Sequence, residues 1–153
     1  MTQATSRECI VSRVFDAPPE VVYQAFVDAD QLAQWWGPEG CSLRRETVES
    51  DVRPGGCQRF VMVVRDEPNL QIQNTITFTE VIENELLVGR CDVDGAPGHH
   101  EAFGVGLRLE FHSEPGGRTR LELRQGLFDE ASEVHDAWLE SFTKLDSVLG
   151  QPR

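Results

Sequence analysis

Apolar and polar residues alternate through most of the middle of this chain. Phe103, Val105, Leu107, Leu109 and Phe111 fall on one side of an extended segment, with Arg108, Glu110 and His112 on the other. Leu121 and Leu123 oppose Arg120, Glu122 and Arg124 in the same way. Leu70, Ile72, Ile76 and Phe78 share a face that Asn74 interrupts, and Gln58, Phe60, Met62 and Val64 line up in the segment before it. A period of two with one apolar side marks an antiparallel sheet, wet on one face and covered on the other. Turn residues at Pro54-Gly55-Gly56, Asp66-Glu67-Pro68-Asn69, Glu83-Asn84-Glu85, Asp94 to His99 and Glu114-Pro115-Gly116-Gly117 divide residues 41–125 into six strands. Residues 9–16, rich in β-branched side chains and closed by a proline pair, predict a strand ahead of them.

Three segments change to a helical period. Pro18 and Pro19 cannot continue a sheet, but proline suits the first turn of a helix, where its missing N–H has no partner. Val21, Val22, Ala25 and Phe26 then recur at helical spacing. Asp28-Ala29-Asp30 breaks this helix. Asp30 is the expected cap of a short second one holding Leu32, Trp35 and Trp36, stopped by Gly37-Pro38. Over residues 130–149, Ala131, Val134, Trp138, Phe142, Leu145 and Leu149 form one apolar stripe, with Asp129 as cap and Glu130 and Glu133 in the acidic first turn. Gly150 and Pro152 end it. The order is β-α-α-β-β-β-β-β-β-α, an α+β chain whose seven-stranded sheet needs the last helix to cover its apolar face. No repeat or composition shift divides it, so residues 1–153 read as one domain with residues 1–8 a flexible tail.

Charge narrows the function. Against 14 Lys and Arg stand 26 Asp and Glu, a formal charge of -12, which repels phosphate backbones and anionic membrane surfaces. The longest apolar run is Phe60 to Val64, far from the ~20 residues of a membrane helix, and no apolar segment follows a basic start. The expected location is the cytoplasm, with no nucleic-acid or membrane partner. The four cysteines, Cys9, Cys41, Cys57 and Cys91, form no C-x-x-C pair and read as buried free thiols. His99-His100-Glu101 is the most chemical-looking cluster, yet adjacent histidines in a Gly/Pro-rich loop point apart. His112 and His135 lie far away on polar faces. No metal and no cofactor are therefore expected. There is no G-x-S-x-G, no phosphate loop and no H-E-x-x-H, so no catalytic residue is assigned.

Three segments, Phe15-Asp16-Ala17-Pro18-Pro19-Glu20-Val21-Val22, Leu32 to Gly40, and Asp51-Val52-Arg53-Pro54-Gly55-Gly56, resemble the signature of the Hsp90-ATPase-activator homologue family. Ala137-Trp138 with Phe142 and Leu145 is similar to that family's last helix. The family belongs to the START-like (Bet v 1-like, polyketide cyclase) superfamily. The resemblance implies a helix-grip fold, a curved antiparallel sheet holding a long C-terminal helix over a hydrophobic pocket. Gln58 and Gly89 stand where the family usually carries aromatics, so the cavity is expected to be enlarged there and more polar at Gln58.

The aromatic pocket candidates are Phe26, Trp35, Trp36, Phe60, Phe78, Phe103, Trp138 and Phe142, each of which also reads as plain core packing. Gln58, Asn74 and Gly89 complete the candidate lining; Gln125 and Arg45 are further inward polar groups, there to orient a ligand or to satisfy one another. Asp51 and Arg53 read as a pair that fixes a turn. Three functions fit: a protein that binds a small hydrophobic or amphipathic molecule; a cyclase, dehydratase or hydrolase using Gln58, Asn74, His100 or Glu101 in the same cavity; and a chaperone cofactor acting by surface contact. An exposed strand edge leaves room for a homodimer.

Overall fold

The structure is a computed structural model that describes residues 7–95, 103–128 and 131–150. Strand β1 (Arg7–Phe15) leads to helices α1 (Pro19–Val27) and α2 (Ala29–Trp35). Strands β2 (Cys41–Leu43), β3 (Glu49–Ser50), β4 (Cys57–Val64), β5 (Glu67–Ile82), β6 (Leu86–Asp94), β7 (Phe103–Glu114) and β8 (Arg118–Phe128) follow, and helix α3 (Ala131–Leu149) comes last. All strand pairs are antiparallel, and a path of seven runs β1-β8-β7-β6-β5-β4-β2, with the two-residue β3 also on β4.

The strand expected between residue 41 and the Pro-Gly-Gly turn is thus one edge carried in two pieces. A single 3-10 turn, Arg45–Thr47, interrupts it. The Thr47 hydroxyl repairs the gap by accepting from the Val61 N–H at 2.9 Å and donating to the Arg44 carbonyl at 2.6 Å. Two further boundaries differ from expectation. The β4–β5 turn shrinks to Arg65-Asp66, so that Glu67 already pairs with Val64. Asp28, not Asp30, caps α2, its carboxylate taking the Gln31 N–H at 3.0 Å. Asp30 instead holds Arg45, whose Nε lies 2.6 Å from it on the surface, so Arg45 does not point inward.

Alternation along the strands sorts the side chains as expected. Val105, Leu107, Leu109 and Phe111 are buried, as are Leu121 and Leu123 and the series Ile72, Asn74, Ile76 and Phe78. They line the concave face. Helix α3 lays Trp138, Phe142, Leu145 and Leu149 against it and packs along β1 and α2. The side chains of Ala131, Glu133 and Val134, and the cap Asp129 with Glu130, fall outside what is described. Arg13 of β1 forms an ion pair with Asp146 of α3. Helices α1 and α2 close the end of the concavity at which β5 finishes, with Phe26 and Tyr23 edge-on to Phe111 at 5.5 and 5.4 Å. The buried Thr119 hydroxyl donates to the Ala17 carbonyl at 2.7 Å, tying β8 to the start of α1.

Phe142 is the pivot. It is fully buried and meets Phe15, Trp35 and Trp138 at centroid distances of 5.5, 6.3 and 5.6 Å. Truncation leaves a cavity that three rings from three elements cannot fill. We expect Phe142→Ala to lose about 3–5 kcal/mol, a drop in Tm of roughly 6–20 °C for a chain of this size by calorimetry.

Candidate functional site

The concavity is not filled along its whole length. At the end where β5 begins and β6 and β8 finish, a partly open cavity of about 130 Å³ remains. Its walls come from six places. Trp36, Gly37 and Pro38 follow α2; Met62 belongs to β4, Asn74 to β5, and Cys91 and Val93 to β6. Gln125 comes from β8, and Ala137, Trp138 and Ser141 from α3.

The adjacent tryptophans diverge because α2 ends between them. Trp35, fully buried, donates its indole N–H to the Ala25 carbonyl at 2.9 Å and stacks edge-on with Phe26 at 4.7 Å. Trp36 is the residue after the last helical turn, with φ -64° and ψ 137°. It swings to the cavity, 5.0 Å from Trp138 and 5.1 Å from Phe60. Trp138 in turn donates its indole N–H to Gln125 Oε1 at 2.8 Å. Asn74 Nδ2 donates to the Ile72 carbonyl at 3.2 Å, and Ser141 donates to the Ala137 carbonyl at 3.0 Å. Burial pushes the Cys91 thiol up to about 12, with Asp92 adding to it, so at neutral pH it is a weak donor and not a thiolate.

Main-chain bonds hold the loop that forms one wall. Lys144 Nζ donates to the Cys41 and Pro38 carbonyls at 3.1 and 3.4 Å, and Glu140 accepts from the Glu39 N–H at 2.9 Å. Burial lowers the Lys144 pKa, opposed by Glu39 and other neighbours.

The sequence profile of the activator of Hsp90 ATPase homolog 1-like proteins matches residues 16–150. The chain belongs to this family. The fold is shared with a protein from Chromobacterium violaceum at 21% identity and a TM-score of 0.79, over 95% of this chain and 98% of that one. An AHSA1 protein from Silicibacter pomeroyi gives 21% identity and a TM-score of 0.77, over 94% of this chain and 97% of that one. A Mycobacterium smegmatis protein gives 20% and 0.76, over 100% and 96%. Among curated proteins, none matches in sequence. These neighbours share the helix-grip fold, and family and fold are consistent with either a ligand-binding or a chaperone-cofactor type of protein. No helix among the described residues is long and apolar enough to cross a membrane.

Of the residues singled out in the sequence, Trp36, Asn74, Trp138 and Gln125 meet at the cavity. Phe26, Trp35, Phe60, Phe78 and Phe142 are buried in the packed core around it and do not line it. Phe103 opens β7 opposite Val93; its side chain, like His99, His100 and Glu101, lies outside the described residues.

Gln58 and Gly89 do not enlarge the cavity in this family member. Gln58 is buried, and its Nε2 donates to the Phe26 carbonyl at 2.7 Å and to the Ser50 hydroxyl at 3.0 Å. It ties the end of α1 to the sheet. Gly89 sits opposite a bulge, for Phe78 pairs with Gly89 and Glu80 with Val88, leaving Thr79 unpaired. The β5 backbone comes so close that a Cβ on Gly89 would stand 2.3 Å from the Thr77 carbonyl oxygen. Glycine is there for that approach. Arg53 Nε lies 2.9 Å from Asp51 across its turn, as a structural pair does.

Cys91, read in the sequence as a buried thiol, and Val93 and Ser141 were not among the candidate lining. A period of two from Leu87 along β6 would have put Cys91 and Val93 on the covered face, and Ser141 follows Trp138 by three on the helical stripe. Away from the cavity, Glu110, His112 and Glu122 are the described group spaced to hold a metal. Arg108 and Arg124 already occupy their carboxylates at 2.7 and 3.0 Å, so the cluster reads as an ion-pair network on the convex face.

Two outcomes test this account. Gly89→Ala is expected to lower Tm clearly while leaving any cavity ligand's affinity unchanged, since the strain falls at the bulge. Cys91, whose ordinary value of 9.0 is raised to about 12, favours folding fully below pH 9, and that contribution is lost as pH rises through 12. Urea unfolding of the wild type and Cys91→Ala should therefore differ by a gap that narrows by up to roughly 4 kcal/mol across that window.

Proposed function

We propose that the protein binds a small apolar or amphipathic molecule in the cavity between the concave sheet and α3. The observation that carries this reading is the cavity itself, with two indoles on its walls and three neutral hydrogen-bonding side chains among them. A few convergent polar groups in an apolar hollow are what orient a bound molecule. Holding is favoured over acid–base chemistry because the described lining offers amides, a hydroxyl and a protonated thiol, with no described carboxylate or imidazole against them. A second reading, a chaperone cofactor, is supported by the family's description; its test is the ATPase rate of a cognate Hsp90, which an activator raises at stoichiometric ratio.

The leading reading is tested by thermal shift against a library of apolar and aromatic compounds. A true ligand at a hundredfold above its Kd contributes about 2.7 kcal/mol and raises Tm by roughly 5–10 °C. Ala137→Phe, which fills the cavity from α3, should abolish that shift and keep the circular dichroism of the wild type. A library without a single shift, or shifts untouched by Ala137→Phe, would reject the reading.

A further inference from the structure

The amides in the cavity are held by partners that can act in one sense alone. An indole N–H only donates, so the Gln125 side-chain carbonyl must face Trp138 and its NH₂ turns away from the ring. A backbone carbonyl only accepts, so the Asn74 NH₂ must face Ile72 and its carbonyl oxygen turns away. Neither Gln125 Nε2 nor Asn74 Oδ1 has another hydrogen-bond partner among the described residues. No side-chain nitrogen or oxygen among those residues is sealed from solvent without a partner, so neither atom is sealed, and both residues line the cavity. Ser141 spends its one proton on Ala137 and is left as an acceptor.

The hollow thus presents an amide donor from Gln125 and carbonyl and hydroxyl acceptors from Asn74 and Ser141, beside two indoles. No charged side chain stands among its described lining. Its volume, about 130 Å³, is close to that of an apolar cavity of roughly 150 Å³ that takes benzene. One aromatic ring fills that volume, and a larger molecule would project through the open side. An ionised ligand would lose its hydration without meeting a counter-charge.

Resting on the ligand-binding reading above, we infer that the cavity takes a neutral, single-ring aromatic molecule carrying both an acceptor and a donor, a phenol or a primary aromatic amide. Its acceptor meets the Gln125 NH₂, its donor meets the Asn74 carbonyl, and its ring rests against Trp36 and Trp138.

The test titrates the full chain with toluene, phenol, benzamide and benzoate, reading affinity by calorimetry and the Gln125 side-chain NH₂ signals by NMR. Phenol or benzamide should bind at least tenfold more tightly than toluene and shift those signals, and benzoate at pH 7.5 should not bind. In Asn74→Leu the preference over toluene should shrink about tenfold, with toluene affinity kept or raised. The comparison among ligands on the unaltered chain stands even if that variant fails to fold. Equal affinities for toluene, phenol and benzamide would overturn the polar part while leaving the cavity a binding site. Tight benzoate binding would overturn neutrality. If larger ligands alone bind, the size assignment falls and the binding reading stands; if none of these or of the wider library binds, both fall together.

Discussion

A strongly bent sheet creates more concave area than one helix can cover, and the rest of this structure answers that mismatch. Helix α3 crosses the hollow with Phe142 at its centre. Around that ring the aromatic side chains of β1, α2 and α3 pack together, Phe15 edge to face and Trp35 and Trp138 tilted. Such contacts add about 1 kcal/mol each to the area they bury. More to the point, they fix where volume is used up. Trp35 and Phe26 fill the hollow on the side of α1 and α2, with Trp35 pinned by its hydrogen bond to Ala25.

At the other end the sheet carries different residues. Where the packed end has Phe78 on β5 and Leu121 and Leu123 on β8, the open end has Asn74 and Gln125. An amide cannot be squeezed into an apolar core without a partner. Each is given one, an indole or a backbone carbonyl, and neither has its remaining polar atom sealed without a partner. The cavity and its polarity therefore have a common origin: the same two residues that interrupt the apolar alternation stop the core from closing there.

Most of the architecture was legible because it rests on period. The alternation of β7 and β8 and the stripe of α3 gave strand, helix and covered face together. Boundaries set by single hydrogen bonds were less so. Asp28 and Asp30 are equivalent caps on paper; what separates them is that Arg45 claims the second. The site was harder to read for a physical reason. In this fold core and pocket wall share one face, so Trp36 and Trp35 differ only by where the helix stops. Gln58 and Asn74 look alike in the strands, yet one finds two partners in α1 and β3 and the other does not. Gly89 was misread because the missing ring suggested empty space. Nothing in its sequence neighbours discloses the bulge at Thr79 that makes any side chain there too large.

The wall contributed by the loop after α2 is anchored through Lys144 and Glu140 to the peptide groups of Pro38, Glu39 and Cys41, not to their side chains. Its anchorage is therefore indifferent to most of what those three positions carry. Replacement of the loop's own residues can reshape the rim while the clasp to α3 persists, whereas a change at Lys144 or Glu140 removes that clasp and leaves the segment tied only to β4, through Cys41 opposite Val64 and the Arg65 N–H on the Gly40 carbonyl. The rim of the hollow can thus vary in that stretch without unmaking the container.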